Sequence, residues 1–292
     1  MSKKSVPENK KKIAFFTMDV ESFYDASFLL PLNIERKREY SSEETIKSYV
    51  DLLDEFGIKG TFFVLESSLD NAEPYLKYAI EHGHRIGLHG KTHQNVLSMS
   101  EDDFREQIKS AKEAIETRLG VPCEGYRAPN FGITDKKFEI ISELGFKYDS
   151  SFLDFPLEYG VGKLDLSNAY KLTDCVYKKN DVIEFKMSVL TLANNETIPV
   201  SGGGYLRLVP RIIMKNWLRR YIKQHSTFVF YVHPFEISSK KLPKIKEISA
   251  IRNMYLRLFT KNHLKRIRSL IKWLQKQGFE FKNMSEVVDS GI

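Results

Sequence analysis

The chain reads as an α/β protein: a parallel sheet wrapped by helices, as a barrel or as an open doubly wound sheet. Three observations predict this. Short apolar runs alternate with amphipathic segments through residues 13–152. The links between them are short and often end on glycine. Reactive side chains recur just after the apolar runs: Asp19 and Glu21, His89 and His93, Arg127, Asp149, His233. In α/β barrels, residues at the C-terminal ends of different strands converge at one mouth.

Ile13–Glu21 (IAFFTMDVE) is apolar and then abruptly acidic, a buried strand with polar chemistry at its end. Ser41 and Ser42 before Glu43 and Glu44 open a helix, with Ile46, Tyr49, Val50, Leu53 and Phe56 at helical spacing and Gly57 as its stop. Lys59–Glu66 is a strand, Pro74–His82 a helix, and Arg85–His89 a short strand. Ser100–Leu119 is a helix with a serine cap, acids in its first turn and Gly120 beyond its end. Gly125–Ala128 is a strand end, Thr134–Leu144 a helix and Phe146–Phe152 a strand. From 153 to 226 the rhythm changes and an insertion is expected, containing a strand at Val182–Leu190 and a flexible SGGG loop at Ser201–Gly204. Arg211–Lys223 is a basic amphipathic helix, Thr227–His233 a buried strand, and the last 40 residues form a basic amphipathic helix followed by a C-terminal helix at Leu264–Gln277.

Composition narrows the class. Of 292 residues, 42% are hydrophobic and 28% charged, which excludes a disordered chain. No apolar run approaches the ~20 residues of a membrane-spanning helix, and the polar N-terminus does not read as a signal peptide, so a cytoplasmic protein is expected. Cys123 and Cys175, far apart, exclude a disulfide scaffold and a cysteine-rich zinc site. The net charge of +7 hides a division: residues 1–12, expected to be a flexible tail, carry +4, residues 13–204 carry −11, and residues 205–292 carry +14. Such asymmetry suggests an anionic partner for one face, or solvated helix faces. In 211–223 and 251–277 the basic stripes run beside apolar stripes bearing Trp217 and Trp273. Those stripes are expected to pack on the barrel, an anionic membrane surface being the other reading.

Each reactive group admits two readings. Asp19 and Glu21, two apart on a strand, point the same way: a metal ligand plus a general base, or two solvated acids. His89 and His93 are spaced to bind one metal if the chain turns helically after the strand; with one carboxylate they outline a hydrolytic metal site. Otherwise one is exposed and one is core. Arg127 could hold a carboxylate by bidentate bonds or lie on the surface. His233, at the end of a six-residue apolar strand, is a catalytic acid or a satisfied core histidine.

Together the segments TMDVE, HGKTH, GYRAPNF, YDSS and FYVHPFE resemble, in order and spacing, the five motifs of the polysaccharide deacetylase family with the NodB homology domain, over about residues 13–240. TFFVLE, SGGGYLRLVP and KWLQKQGFEFKNMSEV look like the subgroup with an Asp-Val-Glu first motif and a distinctive C-terminal region. The resemblance implies a distorted (β/α) barrel of seven or eight parallel strands elaborated by C-terminal segments, making 13–292 one domain. It implies a divalent metal, usually zinc, with Co2+, Ni2+ or Mn2+ as substitutes, that activates water against an N-acetyl carbonyl. Carried over, Asp19 is the general base, Glu21, His89 and His93 are the metal ligands, Arg127 orients Asp19, His233 is the acid, and Asp149 holds His233. Tyr126, Pro129 and Asn130 would contact substrate, and a backbone N–H after the Arg127 motif would help hold the oxyanion. The implied partner is an amino-sugar glycan or its phosphorylated, lipid-linked or nucleotide-linked precursor, not nucleic acid. A deformylase, another amidohydrolase, or a non-catalytic carbohydrate-binding relative is the alternative.

Overall fold

In a computed structural model, residues 11–32, 34–156, 162 and 164–290 are described. Most of the basic N-terminal tail, residues 1–10, and part of the expected insertion, residues 157–161 and 163, lie outside them. The strands are β1 (Lys12–Val20), β2 (Thr61–Leu65), β3 (Arg85–Gly90), β4 (Gly125–Tyr126), β5 (Tyr148–Asp149), β6 (Tyr170–Lys171), β7 (Val176–Lys179), β8 (Val182–Phe185), β9 (Val189–Thr191), β10 (Thr197–Pro199), β11 (Thr227–Val232) and β12 (Phe279–Phe281). The helices are α1 (Thr45–Asp54), α2 (Leu69–Glu81), α3 (Glu101–Leu119), α4 (Asp135–Glu143), α5 (Gly203–Leu208), α6 (Arg211–Gln224), α7 (Ala250–Arg257), α8 (His263–Lys276) and α9 (Met284–Ser290).

Seven strands run parallel in the order β11-β1-β2-β3-β4-β5-β8, with β7 and β6 added antiparallel at one edge and β12 parallel to the start of β1. The result is a distorted (β/α) barrel. Its seam between β8 and β11 is not closed by direct pairing of these strands. Residues between them bridge it: the Val229 amide donates to Ser188 Oγ (2.9 Å) and the Tyr231 amide to Ser201 O (2.9 Å). The stretch expected as an insertion therefore contributes a barrel strand, β8, and the seam itself.

Alternation along β1 divides the core in two, as the period of a strand requires. Ile13 and Phe15 pack inside the barrel with Phe63, Phe185 and Val229. Ala14, Phe16, Met18 and Val20 belong to the outer layer under the helices. Thr17 and Asp19 share the inward parity, so the barrel interior turns from apolar to polar toward its C-terminal mouth. The outer layer receives Met214, Leu218 and Tyr221 of α6 and Ile267, Leu270, Ile271 and Leu274 of α8. Each such aliphatic side chain stabilises the fold by about 1.5–3 kcal/mol. The apolar stripes of the basic helices thus pack on the barrel.

Four local expectations are corrected. α2 begins at Leu69, not Pro74, because a 3-10 turn at Glu66–Ser68 leads straight into it and Pro74 is carried inside the helix. The glycine run 202–204 is not a flexible loop. Gly202 bridges to Tyr231 with φ 138°, a region closed to side-chain-bearing residues, and an added Cβ would meet Tyr231 O at 1.9 Å. The strand expected at Val182–Leu190 is two strands, β8 and β9, which pair with different neighbours. A last helix, α9, follows where the reading from sequence placed none. No described helix is long and apolar enough to cross a membrane.

Candidate active site

Glu21, just past β1, is the centre of the mouth. Its Oε2 lies 2.9 Å from His93 Nε2 and 3.5 Å from His89 Nε2, and its Oε1 lies 3.4 Å from His233 Nε2. All three side chains of the Glu21, His89 and His93 set are buried. Burial raises the Glu21 carboxyl, but charges on His93 and His233 and contacts from His89 and His93 outweigh it and hold the group well below the carboxylate range. Burial lowers His93, and Glu21 more than reverses that, so the imidazole sits above its ordinary value. Glu21 Oε2 nevertheless receives no hydrogen bond, and neither does His93 Nδ1.

The two histidines arrive differently. His89 ends a strand and points inward, and its Nδ1 donates to the Arg127 carbonyl (2.8 Å), which leaves Nε2 as the lone-pair nitrogen facing Glu21. His93 is not delivered by a helical turn, as the i, i+4 spacing suggested. The chain bends sharply at Gly90, φ 118°, where a Cβ would lie 3.3 Å from Thr92 O.

Arg127 is fully buried and spends its donors inside the barrel. One nitrogen donates to Asp19 Oδ1 (2.6 Å) and Thr17 Oγ1 (2.8 Å), the other to Ser150 Oγ (2.7 Å), and Nε to Ser150 O (3.1 Å). Its guanidinium lies 4.2 Å from the centre of the Phe63 ring. Asp19 is therefore gripped through Oδ1. The two acids of the Asp-Val-Glu motif are sorted by their neighbours, Asp19 to the arginine and Glu21 to the histidines.

His233 follows β11 and stacks on Phe235. The partner of its Nδ1 is Glu236 Oε2 (3.0 Å), not Asp149. This corrects the sequence expectation. Asp149 accepts instead from the Ser151 amide and hydroxyl (3.0 and 2.7 Å) and faces Glu184. Burial raises both Asp149 and Glu184, and the neighbouring Asp149 carboxylate raises Glu184 further. Glu236 is held down to about 2, against burial, by His233 and then Arg207. His233 is pushed up to about 9, against burial, by Glu21 and then Glu236. Arg207, buried like Glu236, donates to it (3.3 Å) and to the Tyr255 and Leu258 carbonyls (2.6 and 2.5 Å). Sequence reasoning missed Glu236 and Arg207. The available signal was His-Pro-x-Glu, a capping-box pattern with an imidazole in place of the hydroxyl.

The expected substrate contacts separate. Tyr126 points outward, its ring against Phe104 and Phe146 under the helices, because it alternates with the inward Arg127. Pro129 is buried against Gly90. Only Asn130 reaches a cleft of about 530 Å3, which it lines with His93, Ser27 and Gln94. The Ala128 amide is taken by Ser151 Oγ (2.8 Å) and Pro129 has none, so Asn130 carries the first uncommitted amide after Arg127 among the described residues. A second triad, Asp174, Cys175 and His225, lies at the start of β11, and its atoms are engaged in hydrogen bonds to one another, Ser226, Tyr221 and Thr227.

The fold and this constellation define a distorted (β/α) barrel with a two-histidine, one-carboxylate cluster and an arginine-held acid at its C-terminal mouth. Residues 10–148 match the polysaccharide deacetylase family profile, and residues 155–289 match a domain of unknown function (DUF3473). Residues 10–148, just under half of the chain, are thus similar to the polysaccharide deacetylase family. Both matched segments contribute strands to the one sheet. The peptidoglycan deacetylase of Helicobacter pylori is 25% identical over 39% of this chain and 39% of its own length. The peptidoglycan-N-acetylglucosamine deacetylase of Bacillus cereus is 28% identical over 33% of this chain and 35% of its own. The match thus spans about two-fifths of these relatives at most. A Mycobacterium smegmatis crystal structure assigned to the polysaccharide deacetylases superposes over 98% of this chain and 91% of its own, with TM-score 0.64 at 18% identity. An allantoinase superposes over 98% and 93%, with TM-score 0.59 at 14% identity.

Proposed function

We propose that the chain is a metal-dependent hydrolase that removes an N-acetyl group from an amino sugar, in a surface polysaccharide or in its phosphorylated precursor. The observation that carries the reading is Glu21 Oε2: a buried carboxylate oxygen faced by the Nε2 atoms of two histidines and given no hydrogen bond. Two imidazoles and a carboxylate suit zinc, with positions left open for water and substrate. When bound, such an ion supplies Lewis acidity, polarising a carbonyl and lowering the pKa of water toward ~7.

The chain's own residues then divide the work. Glu21, His89 and His93 would hold the ion, His89 with its tautomer fixed by the Arg127 carbonyl. Asp19, positioned by Arg127, takes the proton of the attacking water as the new C–O bond forms. His233, with Nδ1 on Glu236 and Nε2 toward the cluster, gives its proton to the departing nitrogen as the C–N bond breaks, releasing acetate and a free amine. The Asn130 amide is placed in the loop from which an oxyanion donor would come. An N-acetylated amino sugar is the substrate class because the similar proteins of Helicobacter pylori and Bacillus cereus bear deacetylase names.

The test is acetate release from N-acetylated amino-sugar oligomers, with metal content measured on the same samples. His89→Ala is expected to lose metal and activity together, whereas Asp19→Asn keeps metal and loses activity. If Asp19→Asn empties the site and Glu21→Gln leaves it full, the two acids have exchanged roles. Formate release from an N-formyl sugar, without acetate release, would replace the reading with a deformylase.

A further inference from the structure

The positive charge of the C-terminal third has no place in the chemistry above, and it is not spread evenly. α6 carries Arg211, Lys215, Arg219, Arg220 and Lys223 and no acid; α8 carries Lys265, Arg266, Arg268, Lys272 and Lys276 and no acid. Between the two helices runs an open groove of about 260 Å3. Its floor is apolar, with Met214, Leu218 and Trp273, and its rim is cationic, with Arg211, Lys215 and Arg266. No acidic residue lines it. Arg266 is fixed there by bonds to the Leu206, Arg207 and Val209 carbonyls (3.0, 2.7 and 3.2 Å).

The C-terminal third also leaves apolar side chains exposed, two of them beside the groove's cations. Five of the seven large hydrophobic residues left exposed among the described residues lie between 212 and 259: Ile212, Ile213, Ile251, Met254 and Phe259. Ile212, 78% exposed, adjoins Arg211, and Phe259 lies against Arg266, 5.4 Å from its guanidinium. Single exposed apolar residues need no explanation, but Ile212 beside Arg211 and Phe259 beside Arg266, next to an apolar groove whose lining has no acid, have a chemical complement. That complement is an amphiphile with hydrocarbon next to a phosphate.

We infer that this groove docks the protein on an anionic phospholipid bilayer, with lipid hydrocarbon over the apolar floor and lipid phosphates on Arg211, Lys215 and Arg266. The groove also abuts the site. In α5, Leu206 lines the groove while the next residue, Arg207, turns the other way to hold Glu236 behind His233. A bilayer docked here lies against the helix that backs the catalytic histidine, as suits a substrate displayed at a membrane.

Sedimentation with vesicles tests this without any reference to catalysis, so it stands or falls apart from the hydrolase reading. The full chain is expected to bind vesicles of phosphatidylcholine with phosphatidylglycerol at low salt and to ignore phosphatidylcholine alone. Each basic residue at an anionic surface contributes a factor of about five in binding, so Arg211→Glu/Lys215→Glu is expected to weaken binding at least about 25-fold. Both substitutions place acids in the first turns of α6, where the helix dipole tolerates them, so the variant should fold. Lys109→Glu/Lys178→Glu, with the same change of net charge on other exposed positions, should bind nearly as wild type. Inorganic phosphate should compete no better than chloride at equal ionic strength. Absence of binding to anionic vesicles at low salt overturns the inference. So does an equal loss in both double variants, and so does selective displacement by phosphate, which would make the rim a site for free phosphate.

Discussion

Replacing Glu236 with glutamine separates the positioning of His233 from the rest of the site. The amide keeps an oxygen for His233 Nδ1, now 3.0 Å from the carboxylate, but removes the charge. A hydrogen bond to a charged group contributes about 1.5–3 kcal/mol and a neutral one about 0.5–1.5. The difference, about 1–2 kcal/mol, corresponds to roughly a 5–30-fold loss in kcat if it is realised when the imidazole carries its proton. It also sets a pH effect. Glu236 helps push His233 up, so its removal lowers the imidazole, by about one unit for each 1.36 kcal/mol. An acid must be protonated to act, so activity is lost as pH rises through the His233 value, and the alkaline limb of the Glu236→Gln profile moves to lower pH. The assay is acetate release against pH with metal saturating, separating kcat from KM. An unchanged alkaline limb together with unchanged kcat would refute the positioning role. A lowered melting temperature with the alkaline limb in place would assign Glu236 a structural role through Arg207 alone.

Two further outcomes concern stability. Burial raises Glu184, which keeps its proton in the fold beyond the pH at which an unfolded carboxyl loses it, so stability is full below the unfolded value and falls as pH rises toward the folded one. Glu184→Gln retains an acceptor for the Phe152 amide and a donor toward Asp149; it is expected to melt near wild type at about pH 4 and higher at about pH 8. A lower melting temperature at both would show the pair to be ionised. Gly202→Ala sets a methyl 1.9 Å from Tyr231 O at φ 138° and should cost at least ~3 kcal/mol, dragging the end of β11 and with it His233; a melting curve like wild type would contradict the bridge at the seam.

Parts of the site were legible because strand periodicity is local. Asp19 and Glu21 had to share a face, and reactive residues after apolar strands meet at one mouth if the parallel strands curl into a barrel. Tyr126 could have been excluded on the same ground, since it alternates with Arg127. The family resemblance pairs Asp149 with His233, yet strand-end position does not specify which residues face each other. Only the register of β5 against β8 sets Asp149 opposite Glu184.

By itself the sequence determined the alternation of strands and helices, a parallel sheet wrapped by helices, the set of reactive side chains at its strand ends, and the asymmetry of charge. These follow from spacing along the chain, which obeys fixed periods of two and 3.6 residues. The tertiary structure decided which acid meets which base. It gave Asp19 to Arg127, Glu21 to the histidines, and Glu236, with Arg207 behind it, to His233. It also decided that the basic helices bury their apolar stripes and still leave a groove between them. Those choices depend on contacts between residues tens to hundreds of positions apart, where closure of the barrel, not local propensity, sets the distances.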